Sequence, residues 1–351
     1  MAAAPRSWES APATTVNWFP AGARSAGAVT TPATGSRIGP HTPVRLTFSE
    51  PVSRALGGHF PPISPVTAGD WHQTGSHTIT FQPTGYGYGL GTNVTVPLPA
   101  SVKLIGTGRG APASLARWSV LPGSTLRLQQ LLAQLGYLPV TWLPDGVAPA
   151  KTLPAQEAAA VSPPSGHFSW LYPHVPSSLE AMWSPGAYGA ITKGALMAFE
   201  NDHHMTTDGI AGPSVWHALI AAAIAGRRSA FGYTYVTVDK TTQRLKLWHD
   251  GLTLLTAAVN TGIASSPTAS GTFQVYEHIA SGTMSGTNPD GSHYNDPNVP
   301  WISYFNGGDA LHGFYRAQYG YPQSLGCVEM PPNTAKAVWK YTPIGTLVHV
   351  A

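Results

Sequence analysis

The chain contains one cysteine in 351 residues, Cys327. A lone thiol excludes an internal disulfide and any metal centre built from several thiolates. Charge is also scarce, with Asp, Glu, Lys and Arg at 10% of residues, against about a quarter in an average soluble domain. The formal net charge is +3 and no basic cluster exceeds Arg227-Arg228, so the electrostatic footprint of a nucleic-acid binder is missing. No apolar run is long enough for a transmembrane helix. The start, Met1-Ala2-Ala3-Ala4-Pro5-Arg6, lacks the apolar stretch of a signal peptide. Low charge, abundant Thr, Ser, Gly and aromatics, and no spare thiol nevertheless fit an exported chain. The expectation is an extracellular or cell-wall protein whose leader has been removed.

What is present is glycine (38), proline (33) and 35 aromatic side chains (11 Trp, 14 Tyr, 10 Phe). With 42% apolar residues the chain can build sizeable cores, and its length suits two or three domains. The turn-rich composition points to β structure rather than a helical bundle. Residues 1–27 read as a tail, with Trp8 and Trp18-Phe19 its bulky groups. From 28 to 121, Val44-Arg45-Leu46-Thr47-Phe48, Thr78-Ile79-Thr80-Phe81 and Val94-Thr95-Val96 alternate apolar and polar, the period of half-buried strands. Between 122 and 228, Leu128, Leu131, Leu132 and Leu135 share one helix face. Ile191, Ala195 and Phe199 share another, and Gly212-Pro213 opens a third helix with Val215, Trp216 and Leu219. A Pro-rich insert, about 139–185, separates the first helix from the second. From 232 to 351 the pattern is β again, with hairpin signals at Asp239-Lys240-Thr241-Thr242-Gln243 and Asp250-Gly251.

Chemistry concentrates near the end. Cys327 lies in Ser324-Leu325-Gly326-Cys327-Val328-Glu329-Met330, and His312-Gly313 lies 15 residues upstream. A thiol attacks carbonyls as thiolate and needs a base, for which histidine is suited near neutral pH. Each candidate adjoins a glycine, which permits close approach of backbone and substrate. His203-His204, His278 and His293 have no metal-ligand spacing. Residues 277–300 read as a flap over a cleft.

Several stretches resemble known modules. Phe48-Ser49-Glu50-Pro51-Val52, Gly69-Asp70-Trp71 and Phe81-Gln82-Pro83 resemble bacterial immunoglobulin-like modules. Leu128-Gln129, Leu135-Gly136-Tyr137, Phe199-Glu200 and Asp208-Gly209-Ile210-Ala211-Gly212-Pro213 resemble the three-helix peptidoglycan-binding module. The C-terminal third resembles the YkuD-type L,D-transpeptidase catalytic domain, whose motif is His-Gly followed by Ser-His-Gly-Cys-Ile/Val-Arg-Met/Leu. His312-Gly313, Ser324, Gly326-Cys327-Val328 and Met330 match it, as do Thr268 to Phe273 upstream and Gly345 to Val348 at the end. Leu325 replaces the motif histidine and Glu329 its arginine.

The resemblance implies a mainly β multidomain chain. It would hold an immunoglobulin-like β-sandwich (28–121), a helical module (122–228) and a YkuD-type β-sandwich or barrel catalytic domain (232–351). It implies Cys327 as nucleophile and His312 as base, paired as thiolate and imidazolium, with the Gly313 carbonyl orienting the imidazole. Ser324 would shape the loop, and the Gly326 and Cys327 N–H groups would receive the oxyanion. Arg316 is a candidate to replace the missing cation, and Tyr294, Trp301, Tyr304 and Phe305 are candidates to line the cleft. The implied reaction is acyl transfer between peptidoglycan stem peptides to give 3→3 cross-links. It uses no metal or organic cofactor, and carbapenem β-lactams are the implied inhibitors. Hydrolysis of the same stems by an L,D-carboxypeptidase, and a non-catalytic role in binding wall peptides and glycan, stay open as alternatives.

Overall fold

A computed structural model describes residues 25–105 and 114–351. The tail read over 1–27 lies, up to residue 24, outside the described residues. The chain forms two compact units that divide between Leu121 and Pro122.

The first unit is a β-sandwich. Its strands are β1 (Ala26–Thr31), β2 (Arg37–Ile38), β3 (Val44–Phe48), β4 (Gly69–Gly75), β5 (Thr78–Pro83), β6 (Asn93–Pro97), β7 (Val102–Leu104) and β8 (Leu115–Val120), with a short helix α1 (Val52–Leu56) after β3. One sheet runs β4-β5-β3-β1-β7 and the other β2-β8-β6. The alternation read from the sequence is the alternation of burial: Val44, Leu46 and Phe48 are buried while Arg45 is exposed. Val94, Val96 and Trp118 of the smaller sheet join Leu46, Ile79 and Phe81 of the larger in one core. Burying each such side chain stabilises by about 1.5–3 kcal/mol. The polar tip of Trp118 is satisfied too, its Nε1–H donating to the Pro32 carbonyl at 3.0 Å.

The second unit opens with α2 (Thr125–Gln134), β9 (Val140–Pro144), α3 (Leu153–Val161), β10 (Gly166–Trp170), α4 (Ser177–Glu180), α5 (Ala190–Asp202) and α6 (Pro213–Ala225). The three helices read from periodicity are α2, α5 and α6. The Pro-rich insert is itself structured: β9 and β10 pair antiparallel, and α3 buries Ala159 and Ala160.

Strands β11 (Thr234–Asp239), β12 (Arg244–His249), β13 (Leu252–Ala258), β14 (Gly271–Gln274), β15 (Glu277–Thr287), β16 (His293–Asn306), β17 (Asp309–Gly313) and β18 (Val328–Met330) follow, then α7 (Pro332–Trp339) and β19 (Leu347–Val350). They form two sheets, β13-β12-β11-β19-β14 and β15-β16-β17-β18. Val236, Leu247 and Val348 of the first share a core with Phe305, Leu311 and Val328 of the second. The helices and these sheets pack into one compact unit. Helix α5 meets the turn before β19 backbone to backbone at Gly194 and Gly345. A Cβ on either would collide with the other's carbonyl oxygen, so that approach requires glycine at both positions.

Candidate active site

Register brings the two candidate catalytic residues together. Strands β17 and β18 pair in parallel, Leu311 opposite Val328 and His312 opposite Glu329. Side chains alternate along a strand, so Ala310 and His312 share a face with Cys327 and Glu329. That face opens on a cleft of about 550 Å³ lined by His312, Cys327, Ser324, Leu325, Arg316, Glu329, Asp309 and Phe314 among others.

The imidazole is buried and oriented. His312 is 3% exposed, and its Nδ1 lies 3.1 Å from the Gly313 carbonyl oxygen. A carbonyl only accepts, so Nδ1 carries the proton and Nε2 is the free basic nitrogen. Phe314 packs edge-on at 6.0 Å between ring centroids. Burial pulls the His312 pKa down, against an upward pull from the Gly313 hydrogen bond.

The thiol is held by backbone. Cys327 Sγ faces the Gly308 carbonyl oxygen at 3.6 Å, and the Ala310 N–H favours the thiolate. Burial nonetheless pushes the Cys327 pKa up to about 12, and the carboxylates of Asp309 and Glu329 add to the rise. Burial thus works against the implied thiolate–imidazolium pair from both sides in the free protein, raising the thiol and lowering the imidazole, while the thiol faces Gly308. The proton must move as the substrate is attacked, and such contacts commonly tighten only in the complex.

The Cys327 peptide is fixed by hydroxyls. Ser324, 2% exposed, donates from Oγ to the Cys327 carbonyl at 2.6 Å, and Thr268 Oγ1 reaches the same oxygen at 3.5 Å. The Gly326 N–H donates to Ser324 Oγ at 3.3 Å, so as an oxyanion donor it is already engaged. Gly326 has φ +117°, and a Cβ there would strike Asp309 Oδ1. Both facts require glycine.

The two departures from the motif have a structural answer. Arg316 forms a bidentate pair with Glu329, Nε to Oε2 at 2.8 Å and Nη2 to Oε1 at 2.7 Å. Its guanidinium also lies 4.6 Å above the Phe314 ring. The anion at 329 is thus met by the cation at 316, which is neither a solvated loop arginine nor an uncommitted one. Leu325 lines the cleft, its carbonyl accepting from Ser266 Oγ at 3.1 Å.

The aromatic candidates divide. Tyr294 lines the cleft. Trp301 does not: at φ +60° its indole turns onto α7, 5.2 Å from Trp339 and beneath Lys336. Phe305 is buried in the domain core against Phe273. Tyr304 packs on Val299, Ile302 and Ala310, the cluster on which Cys327 also rests, but it is not a lining residue. Strand alternation along β16 sends these side chains to opposite faces, which a run of aromatics conceals in the sequence.

The flap is the β15–β16 hairpin. Met284 pairs with Asp296 and Gly286 with Tyr294, so these positions share a face, and Met284, Tyr294 and Asp296 line the cleft. A Cβ on Gly286 would strike the Tyr294 ring. Asp296 and Asp309 are cleft residues that sequence reasoning missed. Asp309 carried a signal, a lone charge at the mouth of the apolar strand Ala310-Leu311. Among the described residues no group of three His, Cys, Asp or Glu is placed to hold a metal ion.

Residues 233–350 match the family model of YkuD, the L,D-transpeptidase catalytic domain. The C-terminal part of the second unit is therefore a YkuD-type L,D-transpeptidase domain. Three solved structures are similar. An L,D-transpeptidase from Mycobacterium smegmatis is 12% identical, covering 93% of this chain and 99% of that one, with a TM-score of 0.32. L,D-transpeptidase 3 from Mycobacterium tuberculosis is 11% identical over 92% and 97%, TM-score 0.32. The catalytic domain of the E. faecium L,D-transpeptidase is 28% identical over 35% of this chain and 100% of that one, TM-score 0.32. No curated protein matches the chain.

Proposed function

We propose that Cys327 is the nucleophile of an L,D-transpeptidase that joins peptidoglycan stem peptides by 3→3 cross-links. The observation that carries this reading is His312 and the chain's one thiol on the same face of adjacent strands, open to a cleft, with the imidazole proton pinned on Nδ1 by Gly313. Sγ attacks the carbonyl carbon of the third stem residue, a diamino acid, as the thiol proton passes to His312 Nε2. The Cys327 N–H stabilises the oxyanion. The tetrahedral species collapses to a thioester, and the imidazolium gives its proton to the departing D-alanine amine. The side-chain amine of a second stem then attacks the thioester, His312 takes its proton, and the thiol is released carrying that proton. Ser324 and Thr268 hold the loop during this cycle, and Arg316 keeps Glu329 from opposing the negative charge on sulfur. The reaction uses no metal or organic cofactor. Its substrate places it in the cell wall, outside the membrane, with the first unit and the helical segment as spacers or glycan contacts.

Intact mass after exposure to a carbapenem tests the assignment. A single covalent adduct is expected on the chain and none on Cys327→Ala. His312→Ala should slow its formation by about 10²–10⁴-fold, the usual worth of a positioned base. An adduct that survives Cys327→Ala overturns the nucleophile. Muropeptide products separate transfer from hydrolysis: dimers mark a transpeptidase, trimmed monomers a carboxypeptidase.

A further inference from the structure

The charges around the cleft are unbalanced. Asp296, Asp309 and Glu329 line it, against Arg316 as its one lysine or arginine among the described residues. Glu329 and Arg316 cancel each other through their bidentate pair. Asp309 is occupied, accepting from the Ala269 N–H at 3.3 Å and from Asn306 Nδ2 at 3.4 Å. Burial moves its pKa upward, which weakens it as an anion. Asp296 differs. It is half-buried on the flap, and among the described residues it makes no side-chain hydrogen bond or ion pair. It still acts electrostatically on both His312 and Arg316, so it lies within reach of the reacting groups.

A free carboxylate on the wall of a nucleophile's cleft selects cations. Burial lowers the pKa of the imidazole in the same cleft, and the guanidinium is taken by Glu329, so little positive charge of the protein competes for Asp296. The reaction proposed above brings two cations to this cleft: the side-chain ammonium of the donor's diamino acid and that of the acceptor. We infer that Asp296 is the specificity-determining residue that receives the side-chain ammonium of the diamino acid in the stem peptide. This rests on the stem-peptide reading of the cleft. Met284, paired with Asp296 across the hairpin, and Tyr294 supply the apolar wall along which the methylene chain of that residue lies. Asp309, at the start of β17, adds to the field but is held by its own donors.

Equilibrium binding to the full-length Cys327→Ala chain tests this without turnover. Two probes are compared: a tetrapeptide stem with a free diamino-acid amine, and the same stem with that amine acetylated. The free amine should bind about tenfold tighter at low salt, a charge-assisted contact in a partly buried site. In Cys327→Ala/Asp296→Asn the ratio should fall to within about twofold through loss of affinity for the free amine alone. Asp296 has no hydrogen bond to lose, so this variant is expected to keep the parent's melting temperature. A ratio near one in the parent, a ratio retained in the double variant, or no binding of either stem overturns the inference. Carbapenem acylation of the unaltered chain, expected to be lost in Cys327→Ala, tests the nucleophile separately. Acylation thus reads the role of Cys327 alone, and the binding ratio reads that of Asp296.

Discussion

Two Arg–Glu pairs, one in each unit, join the same chemical groups in opposite settings. Arg54, within α1, and Glu50, just before it, lie four residues apart and 3.7 Å from each other, with side chains 78% and 41% exposed. Arg316 and Glu329 lie on separate segments of the cleft wall, in bidentate contact, at 31% and 6%. Water screens the first pair, and holding two mobile side chains costs about as much as their attraction returns. The second has little water to fall back on, so Glu329 depends on its partner. A third carboxylate completes the series. Glu200 on α5 is fully buried, and among the described residues the charge acting on it is another carboxylate, Asp208. Its Oε2 accepts the Gly209 N–H at 2.9 Å, while Oε1 has no partner. Burial therefore pushes its pKa up to about 7. The lesson is that a buried acid is either matched, as in the cleft, or neutralised by a proton.

Removing the cation from the cleft should have the largest effect. Arg316→Ala leaves Glu329 buried and unpaired, and should cost about 3 kcal/mol in the denaturation of the second unit. The lower end of the usual range is expected because Arg316 keeps some contact with water. Replacing both partners by apolar residues, as in Arg316→Met/Glu329→Leu, should recover most of that loss. If the single variant is as mild as an exposed pair, the contrast between the two settings fails.

Glu200 sharpens the same contrast through pH. Its folded pKa lies above the unfolded value of 4.5, so the native state binds more protons between about 4.5 and 7. Stability must then fall as pH rises through that window and level off above it. A shift of this size corresponds to about 3 kcal/mol. Glu200→Gln cannot ionise and should remove the slope. It should raise stability by about 2 kcal/mol at pH 8, with the remainder lost because an amide in the same place still has an unmatched atom. At pH 5 the two chains should unfold at nearly the same denaturant concentration. A slope that persists in Glu200→Gln would mean that another group carries it.

These cases also show which features a linear sequence can express. The period-2 strands of the first unit and the faces of α2, α5 and α6 were legible, because burial on one side imposes a local repeat. That Cys327 and His312 share one cleft, with the Gly313 carbonyl against the imidazole, was legible because the expected chemistry needs particular residue types beside glycine. The pairing of Arg316 with Glu329 was not, since it depends on the parallel register of β17 and β18. Trp301, Tyr304 and Phe305 were misplaced for a related reason: alternation along β16 turns Trp301 and Phe305 to the domain core and Tyr304 to the cluster under Cys327, and a run of aromatics does not reveal which face each takes. The hairpin and helix hidden in the Pro-rich insert were missed because proline density reads as loop. Here β9 and β10 meet as a two-stranded pair, the setting in which proline near strand ends is tolerated.

The smallest effect belongs to the exposed pair. Arg54→Ala removes the whole of that ion pair, yet it leaves no buried charge behind and opens no cavity. Glu50 simply returns to full hydration. The expected change in denaturation of the first unit is within about 0.5 kcal/mol, shrinking further at high salt. Arg54 also sits in the last turn of α1, where a cation interacts favourably with the helix carbonyls, so any loss should be on the destabilising side. Measuring it beside Arg316→Ala in the same buffer isolates solvent as the variable, because both substitutions delete an arginine from an Arg–Glu contact. A cost at Arg54 approaching that at Arg316 would show that burial is not what distinguishes the two pairs.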